Sequence, residues 1–199
     1  MDTKAERLIS DDDWFDGRLV RLRLVTMQDC TERYVAWLND PLVTRYLETR
    51  WEPQTLESIR AFVRRQRDSN DSYLMAIIER QTGSHVGNLK LGPVHSRYRY
   101  ADLSYFIGEP GAWGRGLATE AIRLASGIGF ERLDLHRLQA GVYAGNAASA
   151  RALLRAGFRL EGIQRSQLIG PAGYEDHHWF GLLRDEWQAG PGTAGYMAG

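Results

Sequence analysis

The stretch EPGAWGRGLATEAI, residues 109 to 122, places glycines at 111, 114 and 116 and then runs into an apolar helical period. Glycine costs conformational entropy, so such a cluster marks a tight turn or a close approach of backbone to something else. A plain turn needs nothing further. A Walker-type phosphate loop requires Gly-Lys-Ser/Thr at its end, which is missing. A dinucleotide fingerprint fits by half. Gly114-Arg115-Gly116 follows a strand pattern and opens a helix, but Thr119 stands at the third glycine position. Asp134, the acidic residue about twenty positions on, precedes the next strand instead of ending it. A cradle of amides at a helix start would hold a pyrophosphate through free N–H groups and the positive end of the helix dipole. Gly114 and Gly116 would let the backbone approach, and Arg115 would add a cation.

Other chemistry-bearing residues are weighed against plainer roles. Asn146 is a preferred helix cap and Ser149 can bond the backbone of a first turn. His177 and His178 point to opposite faces of a strand, so they do not share a metal, and no metal is expected. HSRYRY, residues 95 to 100, mixes cations and aromatics as a nucleic-acid surface does. The net charge of zero, from 25 basic and 25 acidic side chains, favours an exposed hairpin loop instead.

The chain has 199 residues, 43% of them apolar and 25% charged, as in one soluble globular domain. Its charge balance implies neither nucleic acid nor an anionic membrane as partner. Cys30 is the single cysteine, which excludes an internal disulfide. The polar start MDTKAERLISDDDW lacks the apolar centre of a signal peptide, and no apolar run approaches membrane-spanning length. A cytoplasmic location is expected.

The elements that would position these residues follow from period and punctuation. Residues 1–13 read as a flexible lead-in, 14–187 as one domain and 188–199 as a disordered, glycine-rich tail. RLVRLRL (18–24) alternates like a half-buried strand. Asp29 is placed to cap a helix running to Asn39, where Asp40-Pro41 ends it. PLVTRYLETRWEP is irregular or one short helix. LESIRAFVRRQRD (56–68) has helical spacing of Ile59, Phe62 and Val63. Strands at 72–79 and 85–92 form a hairpin across QTGS, and 100–108 is a third strand. The helix after the glycines extends to Glu131. HRLQAGVY (136–143) is a strand, Asn146 opens a helix closed by Gly157, and a terminal hairpin turns at GPAG. Hairpins at both ends with helical crossovers between them imply a mixed sheet.

WGRGLATEAI resembles the acetyl-CoA loop of the GNAT N-acyltransferase superfamily, in the form of its ribosomal-protein-alanine acetyltransferase branch. The superfamily pattern is Gln/Arg-x-x-Gly-x-Gly/Ala, and Trp113 departs from Gln/Arg as that branch does. WLNDPLVTRYL, NAASARALLRAGFRLEG, the final hairpin and LLRDEW are similar to further segments of the branch, so the resemblance spans about residues 15 to 187. It implies an α/β (mixed α+β) fold: a central, mostly antiparallel sheet, splayed at the acetyl-CoA site and flanked by about four helices.

It also implies transfer of an acetyl group from acetyl-CoA to a primary amine, a protein N-terminus or a small amine such as an amino sugar. Direct attack in a ternary complex is implied, with no acyl-enzyme on Cys30. The pyrophosphate would meet Trp113, Gly114, Arg115, Gly116, Leu117, Ala118 and Thr119. The pantetheine would pair with Tyr105, Phe106 and Ile107 and reach Asn146 and Ser149, with Arg155 or Arg151 for the 3′-phosphate. The attacking amine must be neutral, although a lysine-like amine titrates near 10.4 and an α-amine at about 8. Glu109, at the end of the splayed strand, is the first candidate base, ahead of Glu161 and Glu175. The family's usual acid tyrosine falls at Leu153, which leaves Ser149 or Tyr143 as the acid. Tyr46, Arg50 and Trp51, between the early helices, form an acceptor site or a packing corner. Two alternatives stay open, a non-catalytic acyl-CoA sensor and a dinucleotide-binding protein, and a homodimer is compatible with the sequence.

Overall fold

The computed structural model describes residues 8 to 189. In chain order it contains β1 (Phe15–Asp16), β2 (Val20–Leu24), α1 (Glu32–Asn39), α2 (Pro41–Thr44), α3 (Leu56–Asp68), β3 (Tyr73–Glu79), β4 (His85–His95), β5 (Tyr100–Ile107) and α4 (Leu117–Gly127). β6 (Arg137–Tyr143), α5 (Ala147–Arg155), β7 (Arg159–Gly170), β8 (Gly173–Leu183) and α6 (Arg184–Ala189) complete it. The strands form one sheet in the order β1-β2-β3-β4-β5-β6-β8-β7. β5 and β6 run parallel, and the remaining described pairs are antiparallel. The mixed sheet inferred from the element order is thus present, α2 is the short helix offered as one reading of PLVTRYLETRWEP, and α6 is added.

Local chemistry sets several boundaries. Asp40 ends α1 and caps α2, accepting from Leu42 N at 2.8 Å, and Pro41 then takes the first helical position. Asp29 does not cap α1, which corrects the sequence expectation. Thr31 does so, while the buried Asp29 takes a two-pronged bond from Arg23, 2.7 Å on each oxygen. The long helix expected to Glu131 ends at Gly127 and continues as a wide turn over Ile128–Arg132. In the expected lead-in, Ile9 is fully buried and Asp11 is paired with Arg67, so residues 8–13 are held against the domain. The proposed tail falls outside the described residues beyond Ala189.

Two cores lie on opposite faces of the sheet. One, beneath α4 and α5, gathers Met75, Ile77, Leu89, Leu103, Ile122, Leu138 and Phe180. The other, beneath α1 and α3, gathers Tyr34, Trp37, Ile59, Val63, Leu74, Ala76 and Ile78. β3 feeds both by alternation, so every residue of YLMAIIE is buried. Burying each such Leu or Ile is worth about 1.5–3 kcal/mol. Among the described residues, β6, β7 and β8 add nothing to the core under α1 and α3. Past β5 that face lies outside this core: the segment Tyr46–Trp51 covers it at the buried Tyr143, while Gly141 beside it is exposed.

The parallel ladder between β5 and β6 holds for three pairs, Tyr100↔Arg137, Ala101↔Leu138 and Asp102↔Gln139, and then stops. β5 stays paired to β4 as far as Gly87↔Ile107, and β6 to β8 as far as Tyr143↔His177. The two strands therefore splay into a wedge. Gly108 N donates to Val86 O and Ala144 N to Asp176 O. By alternation, Tyr105 and Ile107 on one wall, and Gly141 and Tyr143 on the other, turn their backbone groups into the wedge.

Candidate active site

The wedge leads directly to the glycine loop. After Ile107 the chain makes one short turn, Pro110–Ala112, and reaches α4 through Gly114 at φ +72° and Gly116 at φ +82°. These left-handed conformations strain any residue with a Cβ, which is the physical need for glycine here. Crowding is not the reason. A Cβ on Gly114 would meet nothing within 4 Å, and one on Gly116 would find its nearest neighbour, Leu19 Cδ1, at 3.6 Å. The space above the loop is open, and Gly116 has no side chain to cap the amides of Leu117, Ala118 and Thr119.

The charges next to this helix start are turned away from it. The carboxylate of Glu120 accepts from Arg18 N at 3.1 Å and Val20 N at 2.7 Å, tying the β1–β2 turn to α4. Arg115, expected to add a cation for the phosphate, sends its guanidinium to the buried carboxylate of Glu79 at 2.5 Å and to Gln81 at 3.2 Å. What remains over the loop is backbone. Trp113 faces the wedge through its ring, and its Nε1 donates to Ile107 O at 2.8 Å. Arg155 is exposed at the far end of α5, and its carbonyl accepts from Arg123 of α4 at 2.6 Å.

Asn146 caps α5, accepting from Ser149 N at 3.2 Å. The Ser149 hydroxyl lies 2.7 Å from that of Tyr105, which is also 3.2 Å from Ser149 O. A bond between Tyr105 and Ser149 therefore links the β5 wall of the wedge to the start of α5. Burial pushes the Tyr105 phenol up to about 12 against the lowering effect of Ser149, so it stays protonated.

Glu109 is not a free carboxylate. Its Oε1 accepts from Arg33 Nε at 2.6 Å and Trp37 Nε1 at 2.9 Å, both on α1. Burial raises its pKa, but the bonds from Arg33 and Trp37 and the charge of Arg33 outweigh that and hold it below the ordinary carboxylate range. A carboxylate so stabilised is a weak base, and its place is that of a strut between β5 and α1. That corrects its ranking as first candidate base. Glu161 is likewise occupied, by Arg137. Glu175 accepts from Gly145 N at 2.8 Å.

Tyr143 closes the β6 wall. Its hydroxyl donates to Glu48 and accepts from Arg50 Nη2 at 3.1 Å. Burial and Glu48 raise its pKa, with Arg50 opposing. Arg50 is used as a staple. Its Nη1 donates to Arg45 O and Leu47 O, and its Nη2 to Tyr143 and to Ile169 O near the β7–β8 turn. Its guanidinium stacks on the rings of Trp51, at 4.4 Å, and Tyr143, at 5.0 Å. Tyr46 packs 5.6 Å from Tyr143. Tyr46, Arg50, Trp51 and Tyr143 are thus brought together; the short turn Glu48–Trp51 carries Arg50 and Trp51, and β6 carries Tyr143. Sequence reasoning missed Glu48, Arg33 and Trp37. Glu48 sits in the segment already singled out for its arginines and aromatics, whereas Arg33 and Trp37 carry no local signal.

Strand walls that no neighbouring strand pairs run here to a helix start without a side-chain cap, where an anion is stabilised by free amides and the helix dipole. The family model of the acetyltransferase (GNAT) domain matches residues 20–159, and the chain belongs to that family. It is similar to the probable N-acetyltransferase YjcK of Bacillus subtilis (strain 168), with 31% identity over 60% of this chain and 66% of that protein. The uncharacterized N-acetyltransferase YoaA of the same strain is 32% identical over 74% of this chain and 83% of that protein. Among solved structures, Mycobacterium smegmatis RimJ in complex with CoA-disulfide superposes with a TM-score of 0.73 at 24% identity. It covers 84% of this chain and 83% of that one. The protein is an acetyltransferase of the GNAT family, with that family's splayed mixed sheet. Among the described residues no helix is long and apolar enough to cross a membrane.

Proposed function

We propose that the protein transfers an acetyl group from acetyl-CoA to a primary amine, a protein N-terminus or a small amine such as an amino sugar, by direct attack with both substrates bound. The observation that carries this reading is the wedge that opens after Asp102↔Gln139 and ends at the left-handed glycines. When bound, acetyl-CoA supplies the thioester. The amides of Gly114 to Thr119 hold its diphosphate, and the backbone groups of Tyr105 together with the Ile107 N–H pair with its pantetheine arm, since Ile107 O already accepts from Trp113 Nε1. A wedge-lining amide serves as donor to the thioester oxygen, where fixed dipoles cost no reorganisation.

Ser149 is the proton donor to the departing sulfur. Its hydroxyl is oriented by Tyr105, and its backbone is fixed by the Asn146 cap. A thiol titrates near 8.5, so this help is modest in size. Tyr143 belongs to the acceptor side, because its hydroxyl is taken up by Glu48 and Arg50. Cys30 is buried beneath α1, which is in keeping with direct transfer. Calorimetric titration of the full chain with CoA, followed by a CoA-release assay against an amine panel, tests the reading. The expected result is saturable binding with turnover of one amine class. Folded protein that binds no CoA would overturn it.

A further inference from the structure

The glycine loop is moored to the sheet by one side chain. Between Gly114 and Gly116, both left-handed, only Arg115 carries a side chain. The two glycines flanking it are permissive positions, so this stretch has more backbone freedom to lose than three residues with side chains. The ends are fixed separately. Trp113 donates to Ile107 O before the loop, and Leu117 is buried after it. In the middle, Arg115 Nη2 lies 2.5 Å from Oε1 of Glu79, the last residue of β3, and donates to Gln81 Oε1 at 3.2 Å. With Arg18, Leu19 and Leu117, these three residues line a cavity of about 140 Å³ against the start of α4.

Glu79 is not a surface acid. Its side chain is 6% exposed, and its backbone is held in the β2–β3 ladder opposite Val20. Thr82 Oγ1 donates to Oε2 at 2.8 Å. Among the described residues, Oε1 has no partner besides the Arg115 guanidinium. Arg115 therefore balances a buried carboxylate. Swinging it out to grip a phosphate would leave Glu79 an uncompensated anion in the interior, a strongly unfavourable state. That anion would also stand next to the loop that receives the diphosphate.

We propose that Glu79 is a positioning residue for coenzyme binding, an inference that rests on the acetyl-CoA reading above. Through Arg115 it holds the glycine loop in the shape that leaves its amides free, and the guanidinium stays on Glu79 when the diphosphate arrives. The anion then meets backbone dipoles that are already aligned, so little is lost in ordering the loop. Because the pair is neutral, the amides and the helix dipole supply the attraction. The two roles open to Arg115 differ in sign. If it were a phosphate ligand, neutralising Glu79 would free a cation and remove an anion, and CoA would bind more tightly. If it is a mooring, neutralising Glu79 slackens the loop, and CoA binds more weakly.

Two measurements on the full chain decide between them. Without ligand, nitrogen-15 relaxation of the Gly114 and Gly116 amides is expected to give order parameters of about 0.85 in the parent and below about 0.6 in Glu79→Gln. In calorimetry, Glu79→Gln is expected to raise the CoA Kd by about tenfold. Adding Arg115→Ala to Glu79→Gln is expected to change that Kd by no more than about threefold, since both act through one contact. The double variant buries no charge, so it stays folded where an unpaired Glu79 would not, and thermal unfolding checks this. A Kd unchanged or lowered in Glu79→Gln, loop amides as rigid as in the parent, or a further loss of about tenfold on adding Arg115→Ala overturns the mooring and leaves the acetyl-CoA reading standing. Folded parent protein that binds no CoA overturns both.

Discussion

The two sides of the wedge are made differently. The donor side, from Ile107 through the start of α4, presents backbone, and its charged side chains are directed elsewhere, Glu120 to the β1–β2 turn and Arg115 to Glu79. The side proposed for the acceptor presents side chains: Tyr46, Glu48, Arg50, Trp51 and Tyr143, joined by ring contacts and by bonds between distant parts of the chain. A backbone cradle reads any diphosphate-ended arm and needs only the right dihedral angles. A side-chain network can be changed residue by residue without disturbing the cradle. The difference suits a protein whose donor is fixed by its family and whose acceptor is set by its own residues.

The sharpest way to break this contrast is to put a charge into the backbone side. Gly116→Glu places an anion where the proposal seats the diphosphate and forces a Cβ into a left-handed conformation. CoA affinity is expected to fall by at least about 10³-fold, roughly 4 kcal/mol, at a folding cost of about 1–2 kcal/mol. Calorimetry and thermal unfolding separate the two, and near-normal affinity would show that the amides are not the anchor.

Next in size is Ser149→Ala. Turnover is expected to drop by about 10²-fold, with CoA affinity held to within a few fold. Tyr105→Phe removes the hydroxyl that meets both Ser149 Oγ and Ser149 O and is expected to cost about five- to tenfold in kcat. If both substitutions raised KM and spared kcat, the pair would be a packing contact. On the acceptor side, Arg50→Ala frees the Glu48–Trp51 turn from Ile169 and Tyr143. The KM for the amine is expected to rise about fivefold, roughly 1 kcal/mol, while the CoA Kd stays put. A change in CoA Kd instead would dissolve the division of labour.

The smallest effect concerns Glu109. Its folded pKa lies below the unfolded value of about 4.5. Its contribution to stability is therefore present above that unfolded value and is lost as pH falls through the folded one. Thermal unfolding of Glu109→Gln is expected to show a shallower loss of stability with acid than the parent below about pH 4. Neutral-pH turnover should fall less than in Ser149→Ala, and an equal or larger fall would return Glu109 to the role of base.

The same contrast explains what could be read before the fold was known. α3 ends at Asp68 as its pattern indicates, and of the three clustered glycines Gly114 and Gly116 take positive φ in the turn that the cluster marked. Asn146 caps α5 as its residue type suggests. Each of these is settled within a few residues of chain. The uses of Arg115, Glu109, Asp29 and Tyr143 were not legible. Their partners lie far along the sequence, or, for Asp29, in a strand whose arginines read only as an outward face. The splay of β5 from β6 likewise carries no residue signature in those strands. It follows from where the parallel ladder stops.

The most direct measurement is a crystal structure of the full chain with CoA. The expected result is the diphosphate at hydrogen-bonding distance, about 2.7–3.2 Å, from amides between Gly114 and Thr119. The pantetheine should then lie in the wedge against Tyr105 and Ile107. CoA bound away from the α4 start, with β5 and β6 untouched, would contradict the account.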